Sequence, residues 1–263
     1  MAEMFSNASS YEKYMGRWSA QLAPLFAEFA RVRDGDRVLD VGCGTGSLVE
    51  AVANLTRRSE IVGLDPTPGF IAYARQRFAD PRITFDQGSA FELPYPRRSF
   101  DQSLSMLVLM LIPTPDKAAS EMRRVTKPGG TVAACTWDGA GGMERASIFW
   151  SEAIRLDPAA ESRAERPKHC NLKGHLSDLW KAAGLNDVEE TAIDIRMDFD
   201  CFDDFWLPHL EGVGPVGVYV ADLSDEGRDT LREGLRSRVL GGRSDGAFVL
   251  AARSWAVRGT VPN

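Results

Sequence analysis

Cysteine is sparse and unpatterned in this chain. Four residues, at 43, 135, 170 and 201, offer no C-x-x-C pair and too low a density for a disulfide framework. Free thiols in a reducing compartment are therefore expected, with the cytoplasm as the location. Apolar runs are short: the best, Met106 to Ile112, falls far below the ~18 residues of a membrane helix. The opening Met1-Ala2-Glu3-Met4 lacks the basic-then-apolar pattern of a secretory signal. Positive charge is also in deficit, 31 Lys and Arg against 37 Asp and Glu, for a net −6. A phosphate-backbone partner calls for the opposite balance, so no nucleic acid is expected. Carboxylates do not gather at strand ends in a metal-binding set, and Asp203/Asp204 and Glu189/Glu190 read as exposed charge, so no metal is expected. What remains is 263 residues with 44% hydrophobic and 26% charged content, enough for one α/β domain with a full core and a smaller cap. No internal repeat or long low-complexity tract interrupts it.

The organising stretch is Val38-Leu39-Asp40-Val41-Gly42-Cys43-Gly44-Thr45-Gly46-Ser47-Leu48. It reads as a buried strand, a glycine-rich turn and a helix continuing through Val49, Val52 and Leu55. Such a turn lets a ligand lie against bare backbone, and the helix start points free N–H groups at it. A dinucleotide fingerprint needs G-x-G-x-x-G, but position 47 is Ser; the Gly-Lys-Ser/Thr ending of a P-loop is missing too. Asp40, beside the turn, is placed to attract a cationic group. The next strand, Ile61 to Leu64, ends on Asp65, placed to accept the hydroxyls of a ribose. A ribose, a cationic head and no phosphate describe S-adenosylmethionine. The plain alternative is an α/β protein with a tight turn and two strand-end carboxylates.

These residues resemble motif I of the class I S-adenosylmethionine-dependent methyltransferases, in the small-molecule branch with the ubiquinone/menaquinone-biosynthesis C-methyltransferases. The resemblance runs from Val38 to Trp137 and more loosely beyond. It implies a Rossmann-like, mostly parallel sheet of seven strands, the last antiparallel, with helices on both faces and a helical cap. It makes Gly42, Cys43, Gly44 and Gly46 the cofactor turn, with Cys43 a small wall residue rather than a nucleophile. Tyr14-Met15-Gly16-Arg17-Trp18-Ser19 resembles the N-terminal lid, in which Arg17 would pair with the cofactor's carboxylate and Tyr14 would pack nearby. Pro66 and Phe70 would line the purine. The family's Gly-Asp-Ala becomes Gly88-Ser89-Ala90, so Ser89 would accept the adenine amino group without supplying charge. Met106 would pack near the transferred methyl. The Lys127-Pro128-Gly129-Gly130 turn is structural.

The organisation expected is lid helices over 1–35, a cofactor-binding core over 36–137, cap insertions over 138–185 and 200–240, and last strands over 186–199 and 246–254. Pro24 should break the N-terminal helix, and Gly139 to Gly142 should form a flexible hinge. Met110 and Leu111 replace a His pair common in relatives, which removes an easy general base. The Asp/Asn-Pro-Pro-Tyr/Phe motif of amino-methylating enzymes is missing, which speaks against N-methylation of nucleic-acid bases. His169, His175 and His209 are weak base candidates, each more readily read as a packing or surface residue. Trp137, Trp150, Phe205 and Trp206 would wall an acceptor pocket, or simply pack the cap. The expected activity is methyl transfer to a small organic acceptor by in-line displacement, driven by proximity and desolvation. A cofactor-sensing module and a non-methylating enzyme on the same scaffold stay open, as does the choice between monomer and homodimer. A dinucleotide oxidoreductase is the outside reading, and Ser47 counts against it.

Overall fold

Alternation along the strands decides which helix layer each side chain meets. The computed structural model describes residues 8–164 and 170–263. Strand β1 (Arg37–Val41) sends Val38 and Asp40 to one face and Leu39 and Val41 to the other. Helix α3 (Ser47–Leu55) then leads to β2 (Glu60–Asp65), α4 (Pro68–Arg77) and β3 (Ile83–Gln87). Strand β4 (Phe100–Met106), helix α5 (Pro115–Val125) and strand β5 (Thr126–Trp137) follow. The sheet has seven strands, and its order is completed by β6 (Asn186–Phe199) and β7 (Phe248–Thr260): β3-β2-β1-β4-β5-β7-β6. Strands β1 to β5 pair in parallel, whereas β7 runs antiparallel to both β5 and β6. Both the strand count and the reversed last strand agree with expectation. Buried Val and Ile in the central strands reflect a sheet covered on both faces.

On one face pack α2 (Arg17–Phe29), α3 and α4, and on the other α5 and α7 (His175–Ala182). Helix α6 (Glu144–Leu156), short α8 (Phe202–Trp206), α9 (Gly214–Ala221) and α10 (Asp225–Leu240) join the first core and extend it beyond the sheet. Before α2 lie α1 (Ala8–Tyr11) and a π-helical turn, Glu12–Gly16.

Three expectations are corrected here. Helix α2 runs unbroken through Pro24; both Pro24 and Ala20, whose carbonyl loses its helical donor, lie on the exposed side where water can serve instead. The irregularity falls earlier, at the π-helical turn. The Gly139–Gly142 stretch is a pinned turn: Gly139 N–H donates to Asn171 C=O at 2.7 Å, and Arg253 N–H donates to Gly142 C=O at 2.8 Å. The paired acids keep part of the expected exposure, with the Glu189 and Asp203 side chains 55% and 51% exposed, but they are engaged rather than loose. Glu190 accepts from Gly174 N–H (2.6 Å) and Ser177 N–H (2.9 Å), Glu189 meets Arg258 at 2.5 Å, and Asp203 meets Arg232 at 2.8 Å.

Glu190 thus caps α7 from a neighbouring strand, satisfying donors that the helix itself cannot. Glu190→Ala should lower stability by about 1 kcal/mol in urea unfolding, with cofactor affinity unchanged. An unshifted midpoint would show that the cap contributes nothing.

Candidate active site

The site lies at the carboxyl ends of β1, β2 and β4, where the strand order switches direction and a crevice opens. After Val41 the chain turns sharply, and the N–H groups of Gly42 and Cys43 both donate to Leu64 C=O, at 2.7 and 3.0 Å. Gly42 (φ 79°) and Gly46 (φ 96°) take left-handed backbone, and added Cβ atoms would run into Val108 and Phe78. The turn therefore lies tight against its surroundings before α3 begins. Cys43 packs its sulfur toward Gly63, and burial pushes its thiol well above the usual range. That suits a wall residue and not a nucleophile.

Asp40 is the electrostatic centre of the turn. It is 2% exposed, and neither carboxylate oxygen has a hydrogen-bond partner. Burial pushes its pKa up to about 8, with the negative charge of Asp65 adding to the effect. Asp65 is also buried, but its oxygens accept from Gly44 N–H at 3.0 Å and Thr67 N–H at 2.9 Å. Each oxygen keeps further acceptor capacity. A small cavity at the turn is lined by Asp40, Gly42, Cys43, Gly44, Met106 and Tyr11, among others. Its volume is about 30 Å³, far below the ~300 Å³ at which small-molecule sites begin. The Tyr11 ring forms one of its walls, its centroid 5.5 Å from that of Phe70.

A second, larger cavity of about 350 Å³ shares Tyr11 as a wall. Leu107, Met110, Trp137, Trp150, Ile154 and Val216 give it a mainly apolar lining, with Tyr14, Asp138, Arg145 and His209 at its polar points. Leu107 holds a left-handed φ of 64° directly after β4, an unusual conformation for a branched side chain at the sheet's carboxyl edge. His209 is 1% exposed with Nδ1 at 3.2 Å from Trp206 C=O. Since a carbonyl only accepts, Nδ1 carries the proton. Burial and the charge of Arg145 hold its pKa well below the usual histidine range, so the ring is neutral.

The remaining expected residues divide. Tyr14 lies under the Arg145 guanidinium at 4.3 Å and lines the larger cavity. Pro66 is exposed, Phe70 is buried, and Ser89 and Ala90 are half-buried beyond β3, with the Ser89 hydroxyl accepting from Phe91 N–H at 3.2 Å. Arg17 is a correction: it pairs with Asp204 at 2.9 Å, stacks over Trp18, and lines neither cavity, because its helix carries it to the outer side. Phe205 and Trp206 are corrections too. They are buried among Phe199, Phe202 and His209 and reach neither cavity, because α8 turns them into the core. His175 starts α7 and lines neither cavity, while His169 lies outside the described residues. Among the described residues no group of His, Cys, Asp and Glu could hold a metal ion. No helix among them is long and apolar enough to cross a membrane.

Sequence reasoning missed Tyr11 and Arg145. A signal for the second existed: Arg145 stands four residues before Phe149 and eight before Ala153, on the buried stripe of α6.

Comparison with known proteins decides the family. The description "Methyltransferase domain" matches residues 39–134. An uncharacterized protein of Mycobacterium tuberculosis is 31% identical over 216 residues, covering 78% of this chain and 77% of that one. The chain belongs to the class I S-adenosylmethionine-dependent methyltransferases. A fatty-acid O-methyltransferase of Mycolicibacterium smegmatis is 37% identical over 116 residues, 44% of this chain and 42% of that enzyme. The match thus spans less than half of that relative. In fold, the methyltransferase chain is similar to phosphoethanolamine N-methyltransferase 2 of Haemonchus contortus in complex with S-adenosylhomocysteine, with a TM-score of 0.59 at 22% identity. That superposition covers 97% of this chain and 57% of the nematode one.

The unpartnered Asp40 carboxylate is what this cofactor's cationic end requires, so the residues fit the group. A raised carboxyl pKa means that the folded chain holds a proton the unfolded chain releases. This contribution to stability therefore falls as pH rises from the ordinary carboxyl range through about 8. Asp40→Asn should flatten that slope in thermal melts of the cofactor-free methyltransferase, raising the midpoint relative to wild type most at high pH. Parallel pH profiles would mean that Asp40 is ionised in the folded protein.

Proposed function

We propose that the methyltransferase moves its methyl group onto a small, mainly apolar organic molecule held in the larger cavity. The observation that carries this reading is the shared wall: Tyr11 borders both the glycine-turn nook and the apolar cavity, so ligands in the two would meet there. When bound, S-adenosylmethionine supplies an electrophilic methyl on a positively charged sulfur. The chain's own residues bind, orient and exclude water. Asp40 draws the cationic end, the Asp65 oxygens receive the ribose hydroxyls, and Pro66, Phe70 and Ser89 face the adenine. Trp137, Trp150 and Met110 hold the acceptor in line, so that the barrier falls through orientation and exclusion of water.

His209 is the histidine that borders the cavity among the described ones. A neutral, desolvated imidazole is a weak base, which favours an acceptor that needs little help in losing a proton. The confined nook also requires Tyr11 to swing off Phe70 before a nucleoside can enter, a gating step of the N-terminal segment.

Two measurements test these roles. Asp65→Ala should weaken calorimetric binding of S-adenosylhomocysteine about 10- to 100-fold, while Trp150→Ala leaves it unchanged and raises the acceptor's KM. Equal loss of cofactor binding in both variants would sink the division into two sites. In stopped-flow fluorescence, Tyr11→Ala should speed cofactor association several-fold; an unaltered rate would remove Tyr11 as the gate.

A further inference from the structure

The larger cavity contains a charge without a counter-charge among the described residues. Arg145 is 3% exposed on α6 and lines the cavity. One nitrogen, Nη1, donates to Tyr14 C=O at 2.9 Å; Nε and Nη2 are buried with no hydrogen-bond partner, so a guest in the cavity reaches them when the guanidinium turns toward it. The guanidinium stays protonated even where burial lowers its pKa, as it does here. Stacking over Tyr14 at 4.3 Å offsets part of the desolvation. The charges that act on it from α2 and α8, Arg17 and Asp204, are paired with each other at 2.9 Å, so neither neutralises it. Asp138 is the one carboxylate among the described cavity residues; its Oδ1 accepts from Ala140 N–H at 2.9 Å, and it leaves Nε and Nη2 unserved. A buried cation with two idle donors is strongly unfavourable unless a ligand completes it.

We propose that this cavity takes an amphipathic monocarboxylic acid, its carboxylate held by Arg145 and its apolar body lying against Leu107, Met110, Trp137, Trp150, Ile154 and Val216. The proposal rests on reading the cavity as the acceptor site. A planar carboxylate matches the fork of a guanidinium. One cation balances a single negative charge, whereas a phosphate dianion would bury a second charge uncompensated. The cofactor's own carboxylate is the competing occupant. Arg145 borders the apolar cavity and does not border the glycine-turn nook where Asp40 sits, which favours the acceptor.

The test titrates octanoate and 1-octanol into the S-adenosylhomocysteine complex by calorimetry, with wild type, Arg145→Gln and Arg145→Lys. Wild type should prefer octanoate to octanol by about 10-fold or more. Arg145→Gln should lose that preference with octanol binding and S-adenosylhomocysteine binding unchanged, and Arg145→Lys should keep part of it. Equal binding of acid and alcohol by wild type overturns the proposal without need of a variant. So does an Arg145→Gln protein that loses S-adenosylhomocysteine but keeps its preference for acid. Failure of wild type to bind S-adenosylhomocysteine would count against the cofactor site instead. Octanoate and octanol titrated into the protein alone would then still read the role of Arg145.

Discussion

Everything at the site follows from the reversal of strand order beside β1. Strands β2 and β3 are laid to one side of β1, and β4 and β5 to the other. The helices following β1 and β4 therefore leave in opposite directions, and no helix fills the gap between them. The turn after Val41 edges this gap and is built from glycines that let Gly42 and Cys43 share the Leu64 carbonyl. Parallel pairing puts the last residues of β1, β2 and β4 at one rim, so Asp40, Asp65 and Met106 come together although they span more than sixty positions.

Two buried ionisable groups, the Asp40 carboxyl and the Arg145 guanidinium, line cavities that share Tyr11, and neither has its full complement of partners. Asp40 relieves the cost by holding a proton, since carboxyl burial raises its pKa into reach of neutral pH. Arg145 has no such escape, because a guanidinium does not give up its proton in a protein. It is steadied instead by the Tyr14 carbonyl and ring. Protein interiors tolerate such unpartnered charge where a ligand completes it.

The cap shows where pattern reading loses force. Phe205 and Trp206 share the composition of Trp137 and Trp150, yet only the second pair reaches the cavity. The difference is orientation: Trp137 ends a strand at the rim, and Trp150 sits on a helix that crosses it, whereas α8 turns its rings into a cluster with Phe199 and His209. Arg17 was legible as a cation near the lid, but its partner, Asp204, lies 187 residues away in the cap. A contact of that separation leaves no trace in local spacing. Glu190 likewise looks like surface charge until the strand that carries it is laid beside the start of α7.

The sequence by itself determined the glycine turn and the strand-end carboxylates, while the seven strands and the reversed last one followed from its resemblance to a known family. The turn and the carboxylates are written in short-range features: glycine where the backbone must bend, an acid at the end of an alternating strand. Tertiary structure alone decided which aromatics line a cavity, which acids cap or pair, and that Tyr11 borders both cavities. It alone buried Arg145 with two nitrogens unpartnered among the described residues. Those outcomes depend on how segments far apart in the chain are packed together, and burial and electrostatic partnership exist only once that packing is made.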